Sequence, residues 1–192
     1  MVDNLELIKP FLVFDSEDDF YHLQIIKRKK ENPELGSNSY IVKTYSISSI
    51  EHLEKVYPEI KAICDFHQAR AGINLNVRSF EKIAFHALRK LTDVIMNKDF
   101  KSARKSYDSV CGSYSAGKNK SWIIDVDVMD MEVVRSISES ISEVEPKGDK
   151  VKAILPTKNG FHLITSPFNL SKVKFVDIDI HKNNPTILYV PD

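Results

Sequence analysis

The sequence predicts an α+β protein of two lobes, a mainly helical N-terminal α/β lobe over residues 1–112 packed on a sheet-bearing lobe over 113–192. Three observations lead there. Apolar residues recur mostly at helical spacing before residue 111, and short strand-like runs dominate after residue 120. Between them "CGSYSAGKNK" (111–120) carries two glycines among small polar residues, the strongest internal boundary signal.

In chain order, Phe14 reads as extended. "DSEDDFYHLQIIKRKK" (15–30) then predicts a helix capped by Ser16, with acids in its first turn, a basic cluster at its end, and Phe20, Leu23 and Ile26 at helical spacing. "YIVKTYSI" (40–47) looks extended. "SSIEHLEKVYPEIKAICDFHQ" (48–68) is helical on both sides of Pro58, which is expected to start a second helix. "RAGINLN" (70–76) is a strand. Ser79 caps "FEKIAFHALRKLTDVIM" (80–96), where Phe80, Ile83, Ala84, Ala87, Leu88, Leu91 and Ile95 make one stripe, and "FKSARKSYDSV" (100–110) continues as helix. After the boundary, "WIIDVDV" is a strand and "MEVVRSISESISEV" a helix with Val133, Val134, Ile137 and Ile141 inward. "PKGD" is a turn, and "VKAILPT", "GFHLIT", "VKFVDIDI" and "TILYVP" are short strands. A β-α-β-β start followed by further strands predicts a small sheet with helices on one face.

Composition bounds the function. The 27 basic side chains equal the 27 acidic ones, so any nucleic-acid binding must come from a local basic patch. Cys64 and Cys111 are far apart and outside any metal spacing, which argues against zinc and for a reducing, cytoplasmic setting. The start "MVDN" is unlike a signal peptide, and no apolar run approaches the roughly 20 residues that cross a bilayer, so no membrane partner is expected.

Three stretches carry chemistry. In "SWIIDVDVMD" the period of a strand places Asp125 and Asp127 on one face, their Cα atoms roughly 6.6 Å apart. Carboxylates so spaced can reach one divalent ion or bridge two. The bland rival is an edge strand with a solvated acidic face. In "TKNGFHLIT" Gly160 lets the backbone approach a bound group, while Lys158 and His162 offer positive charge or donors to phosphate. Its rival is a hairpin turn followed by a satisfied histidine. In "VDIDIHKNNPTILYVP" Asp177 and Asp179 share a face, and either could be a third acid of a metal site.

The order of these stretches resembles the archaeo-eukaryotic primase superfamily, which includes primase small catalytic subunits and the primase-polymerases of plasmids and phages. The carrying pattern is hhDhD, then a small-residue turn ending in Gly-x-His, then an apolar strand ending in an acid. It runs from about Trp122 to the end of the sequence. The resemblance implies an RRM-like catalytic sheet, both lobes together making one primase-like domain, and a nucleotidyltransferase that adds nucleotides on a template with Mg²⁺ or Mn²⁺. It makes Asp125, Asp127 and Asp179 the catalytic metal ligands, with Asp177 competing for the third place. His162 contacts the triphosphate, assisted by Lys158 and Thr157, and Arg78 or Arg70 supplies a cation from the first lobe. Nucleoside triphosphates, a DNA template and a replicative helicase are the implied partners, in the setting of a phage or mobile element. The turn reads "TKNG" where such proteins often carry serine. The rival activities are a metal-dependent nuclease using the same acids and an inactive nucleotide- or nucleic-acid-binding module.

Overall fold

The computed structural model describes residues 1–36, 39–115, 117, 119–173 and 178–192. In chain order the elements are β1 (Val2–Asp3), α1 (Leu5–Ile8), β2 (Asp19–Lys27), β3 (Tyr40–Ile47), α2 (Ile50–His67), β4 (Arg70–Ile73), β5 (Arg78–Ser79), α3 (Phe80–Met96), α4 (Phe100–Ala103) and α5 (Ser106–Ser113). After these come β6 (Trp122–Val126), α6 (Met131–Ser142), β7 (Val151–Pro156), β8 (Phe161–Thr165), β9 (Asp179–His181) and β10 (Thr186–Val190). The strands form two antiparallel sheets, so the fold is α+β. One has six strands in the order β1-β10-β4-β2-β3 with β5 beside β2, and the other four in the order β7-β8-β6-β9. Among the described residues no helix is long and apolar enough to cross a membrane.

The helices of the first lobe pack on a sheet, and residues 19–27 form a central strand of it instead of the expected helix. Tyr21, Leu23 and Ile25 enter the core under α2, while Phe20 packs with Ile83, Val110 and Cys111 beneath α3 and α5. A strand buried on both faces reads as a near-continuous apolar run. Positions 20, 23 and 26 of such a run also fit a helical stripe. The acids before it do not start a helix: the Asp19 carboxylate accepts from Asp15 N (2.8 Å) and Ser16 N (3.1 Å), closing a turn. Nor does Pro58 divide 50–67. Ser49 caps the helix by accepting from His52 N, and α2 runs unbroken with Pro58 on its exposed side, held down by buried Leu53, Tyr57, Ile60 and Cys64. That burial outweighs the single ladder bond proline removes.

The C-terminal part matches its pattern more closely. Ile124, Val126 and Leu163 on one face of the small sheet bury Val134, Ile137 and Ile141 of α6, whose N-cap is Asp130. Ile123, Leu155 and Ile164 on the other face join the core of the large sheet. The last strand leaves its neighbours: β10 pairs with β1 and β4 of the large sheet. A boundary at 112/113 therefore does not separate the sheets. Asn4, fully buried, adds a second tie, donating from Nδ2 to the carbonyls of Pro156 and Ile187, each at 2.9 Å.

Candidate active site

Strand register assembles the site. Asp125 of β6 stands directly opposite His162 of β8 on one side and Asp179 of β9 on the other, so the three lie in one row on one face of the sheet. It is the face whose other row, Ile123 and Ile164, is buried against the large sheet. The same surface is thus core at one end and open at the other. The opening is a cleft of ≈ 670 Å³ between the sheets, lined on the small-sheet side by Asp125, Asp127, Thr157, Lys158, His162, Asp179 and His181. The large sheet contributes Ile26, Arg28, Lys30, Arg70, Gly72 and Ile187. One wall carries acids and histidines with Lys158 at its mouth, and the other carries Arg28, Lys30 and Arg70 together with Glu31.

The partner of the half-buried Asp125 is His162. Its Nε2 lies 3.4 Å from Asp125 Oδ1, and its Nδ1 2.9 Å from Thr186 Oγ1. A carboxylate only accepts, so Nε2 carries the hydrogen, and Nδ1 shares a hydrogen bond with the Thr186 hydroxyl. Thr186 is wholly buried on β10, so the large sheet fixes the ring of a histidine on the small one. The hydrogen bond with His162 is the largest influence on the Asp125 carboxyl; together with the charges of His162, His181 and Arg70 it holds the group below its ordinary range, against the opposing effect of burial. Asp127 lies one residue past the end of β6, and it and Asp179 are exposed. Asp177 lies outside the described residues.

Gly160 has a different reason from the expected approach to a ligand. A Cβ there would overlap the Val126 carbonyl oxygen and come 2.8 Å from Val128 N, so the turn packs directly on the backbone on either side of Asp127. The turn closes through Thr157 N donating to Gly160 O (2.9 Å) and Gly160 N donating to Thr157 Oγ1 (3.1 Å). The Thr157 hydroxyl thus already serves the turn, while Lys158 projects exposed at the mouth.

Arg78 does not reach the cleft. It is completely buried, donating from Nε to Cys111 O (2.9 Å), from Nη1 to Asn76 O, and from Nη2 to Asn183 Oδ1 (3.4 Å). Asn76 in turn donates to the carbonyls of Ser121 (3.1 Å) and Lys182 (3.2 Å) and accepts from Ser121 N (2.7 Å). The two side chains pin the start of β6 and the β9–β10 link, which carry the acidic row. Burial lowers the Arg78 pKa to about 10, leaving a cation at neutral pH. The arginine on the cleft is Arg70, also lowered to about 10, by burial first and by Arg28 next. Glu31 holds both, 3.5 Å from Arg28 and 3.6 Å from Arg70. Arg28, Lys30 and His181 were absent from the expected site. The run "KRKK" at 27–30 was the available signal, but reading it as a helix end concealed that it leaves a strand beside the acids.

Three carboxylates are the oxygen donors that Mg²⁺ or Mn²⁺ prefers, so the donor chemistry of Asp125, Asp127 and Asp179 fits such an ion. As they stand, no three His, Cys, Asp or Glu side chains among the described residues are grouped to hold one. Comparison with protein-family models, with curated proteins and with solved structures gave no match.

Proposed function

We propose that the chain is a primase-polymerase-like nucleotidyltransferase that adds nucleotides to a nucleic-acid strand in the cleft between its sheets. The observation that carries this is the row His162–Asp125–Asp179, facing the cations Arg70, Arg28 and Lys30 across one cleft. Acids alone suit a metal and cations alone suit phosphate; phosphoryl transfer needs both on opposite sides of the reacting group. The strand order β7-β8-β6-β9, with α6 joining β6 to β7, supports an RRM-like catalytic sheet.

In this reading Asp125, Asp127 and Asp179 hold the divalent ions. When bound, such ions lower the pKa of the attacking 3′-hydroxyl and offset charge on the departing pyrophosphate. His162 donates from Nε2, and once Asp125 is engaged elsewhere that hydrogen is released for a triphosphate oxygen while Thr186 keeps the ring aimed. Arg70 and Lys158 neutralise the remaining phosphate charge, and the template backbone lies along Arg28 and Lys30. Rate enhancement comes from positioning and preset electrostatics. The buried free thiols Cys64 and Cys111 suit a cytoplasmic setting.

The test is incubation with a primed and an unprimed DNA template, labelled nucleoside triphosphates and Mg²⁺ or Mn²⁺. Extension that is lost in Asp125→Asn and in Asp179→Asn is expected. Cleavage of the template without triphosphates makes the chain a nuclease. Nucleotide binding with no product makes it a binding module, a reading favoured by His162 satisfying Asp125 without a metal.

A further inference from the structure

Helix α3 leaves an apolar face open that the proposed activity does not use. Of its 17 residues only Ile83 is buried. The side that touches α5 is marked by Lys90, whose Nζ donates to Ser109 Oγ at 2.7 Å, and by half-buried Leu91 and Val94. On the other side Phe85, Leu88, Thr92 and Ile95 recur at 3-4-3 spacing, the interval of a helix–helix seam. Phe85 is 67% exposed, Leu88 63%, Met96 76% and, continuing into α4, Phe100 66%. The hydroxyl of Thr92 donates to Leu88 O at 3.0 Å, so the polar group in mid-seam already has its partner and can be covered without losing one. A contiguous apolar strip of this kind marks an interaction site.

Charge selects the occupant. Residues 80–105 hold seven Lys or Arg against three Asp or Glu, a surplus of four cations on a chain whose net charge is zero, and Arg89, Lys98, Lys101 and Arg104 around the strip are exposed. We propose that this face docks an acidic amphipathic helix of a partner protein, leucine-like side chains filling the seam and carboxylates meeting the basic rim. A second copy would bring like charges together. A bilayer would have to take the ionised Glu81, in line with Phe85, into its apolar interior, whereas a docked helix can leave it at the end of the seam, and the aliphatic Leu88, Ile95 and Met96 between Phe85 and Phe100 break any continuous stacking surface for nucleic-acid bases.

The test uses the full chain and two fluorescein-labelled synthetic helical peptides, both with leucine on one face, one flanked by glutamate and the other by lysine. Anisotropy should show the acidic peptide binding at least about tenfold more tightly than the basic one. Leu88→Glu and, separately, Ile95→Glu should each abolish that binding with the melting temperature unchanged, since both side chains are exposed. Arg89→Glu should narrow the preference between the peptides. No binding, equal binding of the two peptides, or binding retained in both glutamate variants overturns the proposal. So does a wild-type dimer that Leu88→Glu converts to monomer in sedimentation velocity, or co-flotation with phosphatidylserine vesicles that Leu88→Glu removes.

Discussion

Replacing Gly160 by alanine is expected to break the contact that joins the 157–160 turn to the acidic strand. The added methyl group would occupy the space of the Val126 carbonyl oxygen and crowd Val128 N. Neither can move as a side-chain tip would, because both are backbone. Overpacking costs about 1–3 kcal/mol. If the turn shifts instead, its two hydrogen bonds, Thr157 N to Gly160 O and Gly160 N to Thr157 Oγ1, are at risk, at about 1 kcal/mol each. A loss of about 1–3 kcal/mol follows by either route, which for a chain of this size lowers the melting temperature by roughly 2–12 °C. Urea denaturation and a thermal melt of Gly160→Ala measure it. A variant within about 0.5 kcal/mol of the wild type, the scale of an ordinary surface change, would refute the close packing of turn on strand.

His162→Ala should weaken nucleoside triphosphate binding roughly 10- to 150-fold, the worth of a hydrogen bond to charged phosphate. It should also cost about 1–2 kcal/mol of stability, since buried Thr186 loses its partner; an unchanged affinity in a titration would make the histidine purely structural. Arg78→Met strands carbonyls that now meet a buried cation and should destabilise by about 3 kcal/mol or more; intact stability with lost nucleotide affinity would return Arg78 to the binding site. His22 is buried with neither ring nitrogen partnered, and burial lowers its pKa from 6.5 to about 4. The unfolded chain then takes up a proton near pH 6.5 that the folded chain refuses, so this contribution is complete above pH 6.5 and is lost as pH falls towards 4. The loss is about 3 kcal/mol. An NMR titration of His22 with an ordinary midpoint near 6.5 would contradict it.

What was legible in the sequence was local. The alternation of Asp125 with Ile124 and Val126, the Ser79 cap and the stripe of α6 each depend on neighbours within one element, and each stands in the structure, while Asp127 falls one residue beyond the strand. What was not legible depends on distant partners. Residues 19–27 become a strand because β3, β4 and β5 pair along them, and only that burial on both faces separates them from a helix of the same composition. The transfer of β10 to the large sheet is a pairing choice that no spacing within "TILYVP" encodes. Arg78 and Arg70 flank the same strand region, and which one meets the cleft is decided by carbonyls more than 30 and 100 positions away. The candidate acids and His162 were found because β6, β8 and β9 are adjacent, so face and register carry the argument across strands.

Mn²⁺ titration followed by amide NMR tests the central claim most directly, because the paramagnetic ion broadens resonances close to where it binds and needs no turnover. Selective loss of the signals of Asp125, Asp127, His162 and Asp179 at low Mn²⁺, absent in Asp125→Asn with Asp179→Asn, is the predicted result. Broadening centred elsewhere, or no selective broadening with nucleoside triphosphate present, would contradict a metal-dependent nucleotide site in this cleft.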